Sequence, residues 1–469
     1  LPPGPSALPA FGEAPFGDDG PLLLEQASPG GNWVSVCQAR ADSNSDGHVE
    51  VNAGPRGELH GDALTRYLIA PGGRELSHDG VLGADARGRY VLLMRGGALI
   101  LWDSQTDGRV DLSANGADAR LSAESMSALR TADFDALGQS LLYVRLGSDG
   151  PRVVIRSLQD GSERTLEAGP GAIWRARFDR GGAFVVVELL SADSNKNGRA
   201  DFPAPLLSTP RACSAGPALF HTWVERGDRP ETVLLPLNGG PALHEPDLVF
   251  PVGDALLLRD ESGALFLERA GKKRILAPAA CKARVVHADV ARDLFVLGCA
   301  QAKKTGRVSL ELVGVAGRKA LGIELASVES DREPDGSPRL VALYPGTDTV
   351  LLDAEKGELL PLQPGDSVLT VRAALALVRR GGALLIYDAD TRTEHALPGT
   401  LDRYPQVLLS APYAFVSPLL VNLDAAAVVG QSKRHALALS NTGQLLLSDA
   451  DPDASGLTHG PLHWQTPGS

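Results

Sequence analysis

The chain is poor in the residues that most often announce a chemistry. Aromatic side chains make up only 5% of it, methionine occurs twice, and its four cysteines never fall into a Cys-x-x-Cys pair. Zinc and thioredoxin-type redox chemistry therefore find no support. No apolar run approaches the ~18 residues that a membrane helix needs. The longest runs, such as Ala373–Val378, have the length of a strand. A Gly-x-Ser-x-Gly nucleophile elbow, a His-Glu-x-x-His helix and a Gly-x-x-x-x-Gly-Lys phosphate loop are all missing. The ten histidines are scattered. Positive charge is also in deficit: 45 Lys and Arg against 57 Asp and Glu give a formal charge of −12. An acidic surface disfavours nucleic acid or an anionic membrane as the main partner, and is compatible with divalent cations.

What the chain has in quantity is turns and short apolar segments. Among 469 residues there are 52 Gly and 33 Pro without a collagen-like period, and 43% of residues are hydrophobic. The repeat is plainest at Asp85–Asp103: a turn, the apolar run Tyr90-Val-Leu-Leu-Met94, a Gly-Gly turn, and Ala98-Leu-Ile-Leu-Trp102 ending in Asp103. Copies follow at Asp135–Ser157, Asp179–Glu188, Asp254–Glu268, Asp293–Leu312, Arg339–Asp353, Ala374–Asp388, Tyr413–Asn422 and His435–Leu447. A first copy, Asn32–Cys37, has its return strand Arg66–Ile69 displaced by a long insertion. The copies recur at roughly 35–60 residues, the spacing of solenoids and propellers. Strand–turn–strand units without helical periodicity favour four-stranded antiparallel blades. The expected fold is all-β, a single β-propeller over 21–469 with seven or eight blades, eight preferred, because some of about ten hairpins could be halves of one blade. Pro21-Leu-Leu-Leu24 is expected to complete the last blade and join the termini. Residues 1–20 read as a flexible Pro/Gly-rich leader left after removal of a signal segment.

Two insertions, at about 38–65 and 191–220, carry the most specific pattern in the sequence. Each holds a nonapeptide, Asp42-Ser-Asn-Ser-Asp-Gly-His-Val-Glu50 and Asp193-Ser-Asn-Lys-Asn-Gly-Arg-Ala-Asp201, with oxygen-bearing side chains at positions 1, 3 and 5, Gly at 6 and a carboxylate at 9. Hard oxygen ligands at that spacing can wrap a Ca²⁺ ion, with position 7 giving a backbone carbonyl and the glycine permitting the sharp turn. The expected ligands are Asp42, Asn44, Asp46 and Glu50 with the carbonyl of His48, and Asp193, Asn195, Asn197 and Asp201 with the carbonyl of Arg199. The second set has fewer carboxylates and should bind more weakly. An EF-hand needs a bidentate Glu at position 12, where this chain has Ala53 and Ala204. The alternative is a pair of ion-free Asx-turn loops. Asp62 either completes the first site or is a solvated loop carboxylate.

At Leu385-Ile-Tyr-Asp-Ala-Asp390 and Asp133-Phe-Asp-Ala-Leu-Gly138 the chain resembles the propeller of TolB-type and WD-like bacterial repeats, over about residues 80–400. The resemblance implies a fold; the α/β domain that precedes the TolB propeller has no counterpart here, so a TolB role is not implied. The two nonapeptides are similar to the cages of integrin-type FG-GAP repeats and thrombospondin type 3 repeats, which implies two structural Ca²⁺ sites.

Cys281–Cys299 is the favoured disulfide, since the two bracket neighbouring strands; that leaves Cys37–Cys213, each beside one nonapeptide. An even count in a processed chain points to an oxidising compartment. Lys272-Lys-Arg274 and Lys303-Lys304 read as charged hairpin tips, and Trp33, Trp102, Trp174 and Trp223 as core, the last with a surface near the second insertion as its alternative. The expected function is a secreted, periplasmic or cell-surface calcium-binding propeller that acts as a non-enzymatic protein-interaction scaffold. Its partner is expected on the face bearing Asn52–Ala63 and Phe202–Phe220. The alternatives are a hydrolase or lyase acting on glycans at the axial mouth, or a structural subunit of a cell-envelope assembly. Sialidase-type Asp boxes are absent.

Overall fold

The computed structural model describes residues 22–28, 32–53, 59–70, 74–117, 132–147, 150–179, 181–191, 231–245, 247–289, 292–300, 308–315, 317–325, 339–343, 349–360, 362–403, 405–410, 412–432, 435–440, 442–448, 457–458 and 462–465. The leader at 1–20, the second nonapeptide (Asp193, Asn195, Asn197, Arg199, Asp201), Cys213, Trp223 and Lys303-Lys304 lie outside them.

The repeated hairpins become antiparallel meander sheets. The described residues form one five-stranded, seven four-stranded and two three-stranded sheets, together with a two-stranded ribbon inside the first insertion. The fold is therefore all-β, of propeller-type four-stranded antiparallel sheets. Each of the ten hairpins read in the sequence sits in a separate sheet, so none is half of another's. In chain order the sheets begin at Leu22, Gly80, Ala132, Ala172, Leu248, Arg284, Leu340, Ser367, Val407 and His435; they are numbered first to tenth below.

The strand sequences follow from position within a sheet. In the second sheet Tyr90–Arg95 pairs with Ala98–Asp103, with Val91 opposite Trp102 and Leu93 opposite Ile100. Val91, Leu92, Leu93 and Met94 are all buried, because both faces of a middle strand are covered. This is why these strands are continuous apolar runs instead of alternating ones. The outermost strands, such as Gly108–Asp111 and Thr393–Ala396, are polar and mostly exposed.

The apolar faces of successive sheets pack on one another. Trp33, Leu68, Leu76, Val91, Leu93 and Trp102 form one layer of core, and Leu92, Leu101, Leu112, Leu141, Tyr143 and Val154 the next. Phe250, Leu257, Leu265, Val285, Phe295 and Leu297 do the same between the fifth and sixth sheets. Trp33, Trp102 and Trp174 are core residues, as expected. Burying each such large side chain contributes about 1.5–3 kcal/mol.

Two aspartate devices close the hairpins. In the Asp-x-x-Gly turn the aspartate caps the strand that follows: Asp85 Oδ1 accepts from Tyr90 N at 2.7 Å, Asp135 Oδ1 from Gln139 N at 2.7 Å and Asp179 Oδ1 from Phe184 N at 2.6 Å. An aspartate that ends an inner strand starts the next turn by accepting from the amide two residues on, as Asp103 does from Gln105, Asp353 from Glu355 and Asp388 from Asp390.

The N-terminal strand does not complete the last sheet. Leu22–Ala27 is the first strand of the first sheet's own meander, pairing with Val34–Gln38 on one side and with Leu457–Thr458 on the other. The tenth sheet is finished from its own end, by Leu462–Gln465. The termini are joined, but by the C-terminal segment reaching the first sheet.

By contacts the chain divides into two units, Leu1–Arg177 with Val187–Glu231 and Leu408–Ser469, and Phe178–Val186 with Thr232–Val407. Within the second, Cys281 and Cys299 are bonded with their Cα atoms 4.9 Å apart, tying the 3₁₀ turn Ala279–Cys281 to strand Leu294–Ala300. Cys37 is also disulfide-bonded.

Candidate functional site

The first insertion leaves the sheet after Gln38 and returns at Thr65, directly opposite in register. Its root is clamped by Arg40, which pairs with Glu75 at 2.5 Å, donates from Nε to Gln38 Oε1 at 2.8 Å and lies 3.8 Å over the ring of Tyr67. Beyond the nonapeptide the chain forms a ribbon, Val51–Ala53 against Leu59–Gly61, with Val51 opposite Gly61.

Within the nonapeptide the side chains at positions 1, 3 and 5 turn inward on one stretch of backbone. Asp42 accepts from Asp46 N at 3.1 Å and Gly47 N at 2.7 Å; Asn44 Oδ1 accepts from the same Asp46 N at 3.0 Å. Asp46 accepts from His48 N at 2.9 Å through Oδ1 and from Asn44 Nδ2 at 2.9 Å through Oδ2. Gly47 has φ +91°, the left-handed turn for which its position was singled out. Asp42, Asn44 and Asp46 are thus brought together, and Glu50, whose side chain is exposed, closes the loop through its backbone. Among the described residues no three His, Cys, Asp or Glu side chains are grouped to hold a metal ion.

The residue that sequence reasoning undervalued is Asp62. It is only 6% exposed and is the hub of the insertion, so it is not a solvated loop carboxylate. Its Oδ1 accepts from Ser43 N at 2.5 Å, Ser43 Oγ at 3.0 Å and Asn44 N at 3.1 Å, and Oδ2 accepts from Glu50 N at 2.9 Å. The backbone returns the favour, Asp62 N donating to Glu50 O at 2.8 Å. Three donors occupy Oδ1, so this oxygen holds the loop and is not available as a ligand. The amide of Glu50, then those of Ser43 and Asn44, hold the Asp62 carboxyl below its ordinary pKa. The available signal was Gly61-Asp62: a glycine at φ +107° beside an aspartate, at the point where the ribbon meets the nonapeptide.

A cleft of 330 Å³ lies between the second and third sheets, lined by Tyr90, Leu101, Asp103, Arg109, Arg156 and Asp160, among others. Its polar groups are engaged: Asp103 with Arg89 at 2.7 Å, Arg156 with Glu163 at 2.9 Å, and Asp160 with Ser162 N and Oγ at 3.0 and 2.8 Å. The Ser162 amide, first among several donors, holds Asp160 down to about 2. Every displaced carboxyl pKa among the described residues is displaced downward.

No family model matches the chain, and no curated protein matches it in sequence. Solved structures with some similarity include dipeptidyl peptidase 4 of Porphyromonas gingivalis (11% identity over 91% of this chain and 58% of that one, TM-score 0.40). TolB from Acinetobacter baumannii is 12% identical over 64% and 63% of the two chains with a TM-score of 0.23, and the dihydro-heme d1 dehydrogenase NirN 16% identical over 80% and 72% with a TM-score of 0.31. The chain thus spans less than two thirds of the peptidase and of TolB. Scores this low bear on no functional assignment.

Proposed function

We propose that the protein is an extracytoplasmic, non-enzymatic interaction scaffold in which the insertion at Asp42–Glu50 is a calcium-ordered recognition loop. The Asp193–Asp201 loop is a second, weaker one of the same kind. The observation that carries the reading is that the Asp42, Asn44 and Asp46 side chains turn inward on neighbouring amides, Asp42 and Asn44 on that of Asp46 and Asp46 on that of His48, in a loop whose base is already fixed by Asp62. A carboxylate oxygen that accepts one N–H retains a lone pair for a hard cation, and Ca²⁺ relieves the repulsion between Asp42 and Asp46. Asp42, Asn44, Asp46 and Glu50 would hold the ion through side chains and His48 through its carbonyl; the ion's contribution is to order the loop before a partner arrives, which lowers the entropy lost on binding.

Location outside the cytoplasm is supported by the Cys281–Cys299 bond and by Cys37 being bonded as well. Scaffold function is supported by the engaged state of the buried acids, which serve turns and ion pairs. The test is calorimetric titration of the chelator-stripped protein with CaCl₂, with the Asp42→Ala and Asp193→Ala variants beside it. Two binding events are expected, the tighter lost in Asp42→Ala and the weaker in Asp193→Ala. Absence of calcium binding in the parent protein refutes the reading.

A further inference from the structure

The chain is acidic overall, but its cations are not spread evenly. The outermost strands of the fifth, sixth and seventh sheets are Lys272–Ala277, Gly317–Leu325 and Glu358–Leu360, all in the second unit. Side-chain contacts join the three edges into one surface. Arg318 donates to the carbonyl of Leu276 at 2.5 Å, and Lys319 Nζ to the carbonyl of Gly357 at 3.1 Å. On or beside these edges Lys272, Lys273, Arg318, Lys319 and Lys356 are exposed. Three neighbouring carboxylates pair with cations of this same edge, Glu268 with Lys273, Glu311 with Arg318 and Asp293 with Arg274, while Glu355 pairs with Arg339 and Glu358 with Arg392; Lys272, Lys319 and Lys356 have no carboxylate partner among the described residues.

Aliphatic side chains stand among these cations. Ile275 is 64% exposed, Val315 in the turn before Gly317 is 78% exposed, and Leu359 is 41% exposed. Three of the seven exposed large apolar residues among those described therefore fall on three consecutive edges. Lysine on an outer strand protects it from pairing with another chain. That purpose does not account for aliphatic side chains beside the lysines, since exposed apolar surface weakens the protection.

We propose that this edge docks on an anionic phospholipid surface. Ammonium and guanidinium groups would meet the lipid phosphates while Ile275, Val315 and Leu359 enter the boundary between headgroups and acyl chains. The charge of −12 does not prevent it. Repulsion from acids elsewhere on the chain is screened beyond about 8–10 Å at physiological salt, so a local patch can set the orientation.

The experiment is co-sedimentation of the full chain with phosphatidylcholine vesicles, with and without phosphatidylglycerol. Binding is expected only with phosphatidylglycerol, and weaker as salt rises. Lys272→Glu with Lys273→Glu should lower the partition coefficient by more than about tenfold, at roughly fivefold per cation. Ile275→Ser with Val315→Ser should weaken binding while retaining its salt dependence. Arg95→Glu alters net charge on the other unit and should leave binding unchanged; circular dichroism confirms that each variant is folded. The proposal is overturned if the parent protein ignores phosphatidylglycerol, if Arg95→Glu costs as much as Lys272→Glu, or if the paired variants bind as the parent does.

Discussion

Replacing Gly61 by alanine puts one carbon atom where the first insertion has no room for it. A Cβ there would lie 2.3 Å from the carbonyl oxygen of Glu50, 3.1 Å from its carbonyl carbon and 3.3 Å from Val51 Cα. All three are backbone atoms, so no rotamer change relieves the overlap. The backbone at φ +107° adds a cost of about 1–2 kcal/mol for an L-residue. Moving the ribbon away loses the Asp62 N to Glu50 O bond, a further ~0.5–1.5 kcal/mol. The sum, about 1.5–3.5 kcal/mol, is roughly a 10- to 400-fold rise in the population of the opened insertion. Gly47 is the internal control, since it has φ +91° but nothing within 4 Å of its Cβ position. Gly47→Ala should therefore show only the torsional part. Native-state hydrogen exchange at the amides of Asp62, Glu50, Ser43 and Asn44 reads the effect directly, because opening is local and the sheets remain folded. The reasoning fails if the two variants exchange alike, or if Gly61→Ala leaves these amides as protected as before.

Three further outcomes are expected. Arg339 is 13% exposed and pairs with Asp353, Glu355 and Asp390, Asp353 being fully buried; Arg339→Met should cost ~3–5 kcal/mol in urea unfolding. The more exposed Arg89–Asp103 pair should yield about 1 kcal/mol with Arg89→Met, and equal losses would contradict the burial argument. Asp366 has its pKa lowered, first by the Arg380 guanidinium and then by the Gln363 amide. Its contribution is complete above its unfolded value of about 4 and disappears as pH falls through the lower folded value. The urea midpoint should fall below pH 4, and Asp366→Asn should be less stable at pH 7 with a shallower acid decline. Finally, Cys281→Ser with Cys299→Ser opens a loop of sequence separation 18 and should lose ~3 kcal/mol in urea unfolding.

The hairpins were legible because each signal is local. Asp85, Asp135 and Asp179 cap the very turns their Asp-x-x-Gly spacing announces, and the runs after them are buried on both faces. The count of sheets was less legible. Fourth strands such as Gly108–Asp111, Glu163–Leu166 and Thr393–Ala396 are short and mostly exposed, so pooling hairpins into seven or eight blades was as natural as keeping them apart; the ten separate sheets among the described residues followed from hydrogen-bond register. Pro21–Leu24 looked like the strand that completes the last blade; the strand Leu22–Ala27 belongs instead to the first sheet, where its outer partner comes from more than 400 positions away, at Leu457–Thr458. In the candidate site the Asp42, Asn44 and Asp46 pattern was read from spacing alone. Asp62, 12 residues beyond Glu50, had no periodicity to mark it.

By itself the sequence determined that this is an all-β chain of repeated hairpins, with oxygen-rich nonapeptides set into two of its connections. Those properties are encoded in residues within a few positions of each other, where spacing translates directly into geometry. Tertiary structure alone decided that Asp62 is a buried anchor and that the C-terminal segment finishes the first sheet. It likewise gathered Lys272, Ile275, Val315, Lys319 and Leu359 onto adjacent edges. Each of these depends on distant segments meeting, and that is settled by how whole sheets bury their apolar faces, not by any local pattern.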